Sequence, residues 1–300
     1  MLDTNLLCKE IQRNGLPAPD CEIKTNGFTR WGHNKHMWCH NINDNGWVFG
    51  DWKTGQQWTV FESSESKPLS KEEKRRIAEI IKKQEQEMRQ QMEARQKNVA
   101  KQQYGFYTKC CVDEIPADFP YLVKKQIQPV NRMKFFDITK QLIVPMVDVN
   151  GKLWSLQSID STGQKHFASG GRIKGCFFPI GNIANSNTVI VCEGVATGIS
   201  IYTATNIPTV SAMNASNIES VVSELIESCP KTRIIIAADN DWEKMPNTGK
   251  ETANKIAQRY ALKAILPNKL LHGMTDFNDL YCHYGMEEVK NQINKGVKEC

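Results

Sequence analysis

From residue 187 to residue 267 the sequence repeats one rhythm, a short run rich in Val, Ile and Thr followed by a stretch of helix formers. NTVIVCEG precedes VATGISIYTAT, PTVSA precedes SNIESVVSELIESC, TRIIIAADND precedes GKETANKIAQRYA, and LKAILP closes the series. Strands separated by helices cannot form hairpins. They pair in parallel, and the crossover helices cover both faces of the sheet. The fold class expected of residues 186–300 is therefore α/β, a parallel sheet with helices on both faces.

Ligands of such a sheet bind outside the carboxyl ends of its strands, and this chain places acids there. VIVCEG finishes in Glu193, and RIIIAADND finishes in Asp239 and Asp241. Two residues apart in an extended segment, the aspartates share a face and can address one metal ion or neighbouring ions. Uncompensated, such carboxylates repel one another, which calls for a cation. MTDFNDLY supplies Asp276 and Asp279 after the last strand. Oxygen donors that leave room for water and phosphate suit Mg2+, or Mn2+. Any one of these acids alone reads as a helix cap; the ordered set does not.

The order is strand-Glu-Gly-helix, strand-Asp-x-Asp, a Thr248-Gly249-Lys250 turn opening a helix, then Asp-Phe-Asn-Asp. It resembles the Toprim domain of bacterial primases, topoisomerases and some nucleases, over residues 186–285. FPYLVKKQI, LIVPMVDVNGKLWSLQSIDSTGQKHFASGGRIKG and GWVFGDWKTG resemble segments that accompany Toprim in plasmid conjugative and phage primases. The resemblance implies a DNA primase that makes short RNA primers from ribonucleoside triphosphates on single-stranded DNA. Asp239 and Asp241 would hold the metal, with Asp276 or Asp279 in support, and Glu193 would be a ligand or the base for the attacking 3′-hydroxyl.

The same resemblance makes residues 104–185 the other half of the core, with Lys124, Lys125, Gln157, Lys165, Arg172 and Lys174 toward template and nucleotides. Lys165, Arg172 and Lys174 lie beside glycines, where a side chain reaches a phosphate closely. Lys124 and Lys125 suit a solvated surface equally well. Two alternatives share the fold: a Toprim nuclease hydrolysing phosphodiesters, and an accessory protein that binds nucleic acid without catalysis. A topoisomerase is disfavoured, since no separate domain offers a convincing catalytic tyrosine.

Upstream the chain changes character twice. Residues 1–66 hold five of the seven tryptophans, at 31, 38, 47, 52 and 58, in short alternating runs separated by turn formers such as those from Asn43 to Gly46. This predicts a small β-rich module whose tryptophans suit either a core or stacking on single-stranded bases. Residues 67–103 form the next segment, which from Ser70 on lacks Gly and Pro, with Ser70 and Glu73 placed as a capping box, and predict one long charged connecting helix.

The net charge of +5 permits a polyanionic partner without demanding one. Ten scattered cysteines with no CxxC pair, and a start that lacks a leader's basic and apolar regions, point to free thiols in a reducing cytoplasm, bacterial or of a phage-infected host. No run is apolar enough for a membrane span. A zinc ribbon with paired CxxC is absent, and His33, His36, Cys39 and His40 read better as hairpin residues than as a metal site. With no GxxxxGK[ST], a separate replicative helicase is expected to open the duplex.

Overall fold

The computed structural model describes residues 4–298 apart from 26, 44, 45, 62–69 and 185. The centre of the predicted turn at Asn43–Gly46 and the predicted border at 66/67 therefore lie outside the described residues. The chain divides into two compact units, residues 1–89 and 90–300.

The first unit opens with a helix, α1 (Thr4–Arg13), where sequence alone suggested only β structure. Leu7 and Ile11, one turn apart, are both fully buried and give α1 its inner face. Four strands follow as an antiparallel meander: β1 (Phe28–Trp31), β2 (Met37–Asn43), β3 (Gly46–Asp51) and β4 (Gln56–Phe61). Because side chains alternate along a strand, Cys39, Trp47 and Phe49 pack with α1 on one face, while Trp38 and Val48 pack with Trp52 on the other. That second face is covered by Ile77 and Ile81 of the next helix, α2 (Lys71–Lys109). The indoles of Trp38 and Trp52 stack at 4.5 Å within this core. Trp31, Trp38 and Trp47 are thus interior residues rather than platforms for bases.

The same alternation decides the His and Cys cluster. Cys39 is buried on the α1 face, where burial pushes its thiol up to about 12. His40 is on the other face, stacked on Phe28 at 4.7 Å, and His36 is bonded to Asp51 Oδ1 at 2.7 Å. These side chains do not converge. The nine described cysteines are all free thiols.

Helix α2 has 39 residues, about 58 Å at 1.5 Å per residue, and runs six residues past the predicted end. Ser70 Oγ accepts from the Glu73 N–H at 3.1 Å and the Glu73 carboxylate accepts from Ser70 N–H at 2.8 Å, the capping box read from the sequence. Its last turns are held by Ala100, Phe106 and Tyr107, which pack into the second unit. Gly105 sits inside the helix, beyond the end expected at residue 103.

The second unit continues with α3 (Pro120–Lys125) and an antiparallel sheet of β5 (Lys134–Phe136), β6 (Gln141–Val147), β7 (Leu153–Ile159) and β8 (Lys165–Phe167). A second sheet comprises β9 (Phe178–Ile180), β10 (Thr188–Cys192), β11 (Thr209–Ser211), β12 (Arg233–Ala237) and β13 (Lys263–Ile265), in the order β13-β12-β10-β11-β9. Four of its strands are parallel, as the alternation predicts, and β9 adds an antiparallel edge on β11. Helices α4 (Val195–Thr205), α7 (Phe277–Tyr284) and α8 (Met286–Lys298) cover one face. Helices α5 (Ile218–Ser228) and α6 (Thr248–Tyr260) cover the other. The core strands are apolar on both sides for this reason: β10 and β12 are buried over nearly their whole length. Among the described residues, no helix is long and apolar enough to cross a membrane.

Candidate active site

Strands β10 and β12 are neighbours in register, with Cys192 opposite Ala237, so both release the chain at the same edge of the sheet. Glu193 follows β10 directly. Its carbonyl accepts from the Met213 N–H at 2.9 Å and the Ser211 hydroxyl at 2.8 Å, which fixes the backbone at this exit. Burial raises the Glu193 pKa, and the nearby Asp241 and Asp276 add to the rise; Lys165 and a hydrogen bond from the Ala215 N–H oppose it.

Strand β12 ends at Ala237, so Asp239 and Asp241 stand in the loop beyond it rather than in the strand itself. Asn240 between them holds that loop to three other segments. Its N–H donates to the Thr275 carbonyl at 2.7 Å, its Nδ2 donates to the Pro267 carbonyl at 3.0 Å, and its Oδ1 accepts from Asn247 Nδ2 at 2.8 Å. Asn247 in turn caps α6 by accepting from the Lys250 N–H at 3.1 Å. Gly249, in the first turn of α6, passes so close that a Cβ would stand 2.6 Å from the Asp239 carbonyl oxygen. The Gly-Lys turn therefore serves close approach of backbone to backbone.

Asp239 is the most perturbed of these acids. Burial, followed by the charges of Asp276, Glu193, Asp241 and Asp279, pushes its pKa from 3.8 to about 8. Its Oδ1 is buried with no hydrogen-bond partner, the only carboxylate oxygen in that condition among the described residues. Asp241 is less enclosed and pairs with Lys244 at 3.0 Å on the surface.

Asp276 and Asp279 come from the start of α7 and do two things at once. They form a reciprocal capping box, and Asp276 Oδ2 accepts from the buried Thr197 hydroxyl at 3.1 Å while Asp279 pairs with Lys125 at 3.6 Å. Cap and site are one structure here. Lys125 is held from behind, its carbonyl accepting from Asn278 Nδ2 at 2.8 Å and from the Cys282 thiol at 3.3 Å.

Of the cations read from the sequence, Lys165 faces this edge. It is solvent-accessible yet set among protein atoms: partial desolvation and the neighbouring Lys125 lower its ammonium pKa, and Asp276, Glu193 and Asp239 act against that. The other predicted contacts are placed differently. Arg172 donates to the Lys174 carbonyl at 3.0 Å and to Glu224 of α5 at 3.3 Å, and lies 5.0 Å from the Trp154 ring centre. Lys174 is exposed, Gln157 is buried within β7, and Lys124 is exposed on the turn of α3 next to Lys125. Lys125, Thr197 and Asn240 are the residues sequence reasoning passed over or left undecided.

The donor set at the edge is all oxygen, and one buried carboxylate oxygen lacks a partner, which fits a hard divalent cation. Among the described residues no three His, Cys, Asp or Glu side chains are gathered tightly enough to hold an ion unaided.

Residues 188–287 match the Toprim domain family model. The chain is similar to two forms of DNA primase TraC from Escherichia coli, 33% and 30% identical over 155 residues, 49% of this chain. The match spans only 11% and 15% of those relatives' own length. Among solved structures, the zinc-binding and RNA polymerase domains of Aquifex aeolicus primase align at a TM-score of 0.47 and 12% identity, over 96% of this chain and 82% of that one. The primase fragment of the bacteriophage T7 primase-helicase aligns at 0.42 and 19% identity, over 54% and 66%. Residues 188–287 thus match the Toprim domain model, in a chain that is similar over about half its length to DNA primase TraC from Escherichia coli.

Proposed function

We propose that the chain is a DNA primase that synthesises short RNA primers on single-stranded DNA by metal-dependent nucleotidyl transfer from ribonucleoside triphosphates. The observation that carries this reading is the partnerless buried oxygen of Asp239, set among Glu193, Asp241 and Asp276 at the carboxyl edge of a parallel sheet. Asp239, Asp241 and Asp276 would hold Mg2+ or Mn2+, which neutralises triphosphate charge during in-line displacement. Glu193, its pKa raised by burial, is suited to take the proton of the attacking hydroxyl or to complete the ligand set.

Lys165 and Lys125 offer positive charge beside these acids, where nucleotide phosphates would lie. Lys174, exposed next to the anchored Arg172, is available to the template backbone. Residues 104–185 and 186–300 would form the two halves of the core, working in the cytoplasm with a separate helicase. The test is primer synthesis on single-stranded templates with labelled nucleotides and Mg2+. Asp239→Asn, Asp241→Asn and Glu193→Gln should each lower the rate at least about a hundredfold. Asp241→Asn working at the unmodified rate would refute the assignment, and cleavage of template without nucleotide-dependent product would replace it with a nuclease.

A further inference from the structure

Six of the seven tryptophans pack into a core: Trp31, Trp47 and Trp58 on one face of the first sheet, Trp38 and Trp52 on the other, and Trp154 in the second unit. The seventh, Trp242, belongs to none of these cores and is 47% exposed. A single apolar side chain at the surface is ordinary. This one stands in a loop that is built to hold it there.

The loop is fixed on both sides of the ring. Before it, Asn240 is tied to Thr275, Pro267 and Asn247, and the Trp242 N–H donates to the Asn240 carbonyl at 2.7 Å. After it, Glu243 pairs with His272 and accepts from the Gly273 N–H at 3.1 Å. Lys244 returns to Asp241 twice, by its backbone N–H to the carbonyl at 2.9 Å and by its ammonium to Oδ1 at 3.0 Å. Asn240, Asp241, Glu243 and Lys244 thus all commit their side chains to the loop. The Trp242 indole makes no hydrogen bond, ring stack or cation contact among the described residues. A large flat ring on a backbone already fixed in place binds another flat ring with little ordering cost.

Position selects the ligand. Trp242 directly follows Asp241, one Cα step of about 3.8 Å away, at the edge where Lys165 and Lys125 set positive charge beside the acids. A ligand that brings phosphate to those groups and a flat ring to the indole is a nucleotide. A template-directed enzyme must accept four bases at one position. Their hydrogen-bonding edges differ, whereas every base has a π face, so stacking is the contact that all four can share.

We propose that Trp242 is the stacking platform for the base of the incoming nucleoside triphosphate. That this nucleotide is polymerised rests on the primase reading; that its base stacks on Trp242 does not. The test is tryptophan fluorescence of the full chain with Mg2+ and 3′-deoxyATP, which lacks the attacking hydroxyl and so binds without turnover. The nucleotide should quench the unmodified chain and leave Trp242→Phe unquenched. Calorimetry should show Trp242→Ala binding 3′-deoxyATP about tenfold more weakly, with tripolyphosphate and Mg2+ bound as before and Trp242→Phe recovering most of the loss. In primer synthesis Trp242→Ala should raise KM for all four nucleotides by more than it lowers kcat.

Unmodified quenching in Trp242→Phe, or unmodified affinity for 3′-deoxyATP in Trp242→Ala, would overturn the proposal. Equal weakening of 3′-deoxyATP and tripolyphosphate by Trp242→Ala would also overturn it, by making the residue a prop for the acidic loop. So would quenching by oligothymidylate alone that Trp242→Phe abolishes, which would move the stack to the strand. Nucleotide stacking in a chain that makes no primers would refute the primase reading alone, and primer synthesis with KM unchanged in Trp242→Ala would refute the stack alone. The two readings thus fail separately.

Discussion

Replacing Asp239 by Asn removes one charge and almost no volume, so it isolates what that charge does to the fold. The folded-state pKa is about 8 against an ordinary 3.8. Between those values the folded chain keeps a proton that the unfolded chain has released, and stability must fall as pH rises from about 4 to about 8. At about 1.4 kcal/mol per pH unit the gap corresponds to roughly 6 kcal/mol as a ceiling. Water entering an open site and local relaxation reduce it to about 2–3 kcal/mol, or roughly 5–10 °C in melting temperature for a unit of this size. The assay is thermal denaturation of metal-free protein at pH 5.5 and pH 8.0, reading the difference between the unmodified chain and Asp239→Asn so that other titrating groups cancel. Asp239→Asn should melt several degrees higher at pH 8.0, and the advantage should shrink toward pH 5.5. Mg2+ at a hundred times its Kd should then add about 2.7 kcal/mol to the unmodified chain at pH 8.0 and far less to the variant. Equal melting of the two chains at pH 8.0 without metal would refute the reasoning.

Two further changes probe the scaffold around this edge. Gly249→Ala drives a methyl group toward the Asp239 carbonyl and should cost about 1–3 kcal/mol in urea denaturation while also weakening the Mg2+ response. Asn217→Ala removes the side chain that accepts from the Gly175 N–H at 2.9 Å and donates to the Cys176 and Ala212 carbonyls at 2.8 and 2.9 Å; it should destabilise by about 3 kcal/mol, measured the same way, without altering the Mg2+ response.

The parallel sheet was legible because its strands are short apolar runs bracketed by helix formers, a pattern that depends on neighbours in sequence. What escaped depends on partners far away. The edge strand β9 is three residues long, and only its antiparallel pairing with β11 makes it a strand. Arg172 looked free beside its glycines, but Glu224, 52 residues away, takes its guanidinium. Lys124 and Lys125 are one step apart on α3, and choosing between them needs the phase of that helix, which Gln126 ends in a left-handed conformation and Asn278 clamps at the Lys125 carbonyl. Asn240 carried no signal of its own, since Pro267, Thr275 and Asn247, its three partners, meet only in the fold.

Those distant contacts also explain how several like charges persist at one edge. Asp276 and Asp279 are offset by the orphan N–H groups of the α7 terminus, which they cap, and Asp279 further by Lys125. Glu193 has the Ala215 N–H and Lys165 beside it. Asp241 reaches the surface and Lys244. Each of these acids has a backbone donor or a cation beside it. Asp239 differs, because the contacts around it fix its backbone: Asn240 anchors the loop and Gly249 abuts the carbonyl, while its buried Oδ1 receives no donor. The fold therefore specifies where this carboxylate stands and leaves its charge to be compensated from outside, which is the condition a cation-dependent site requires.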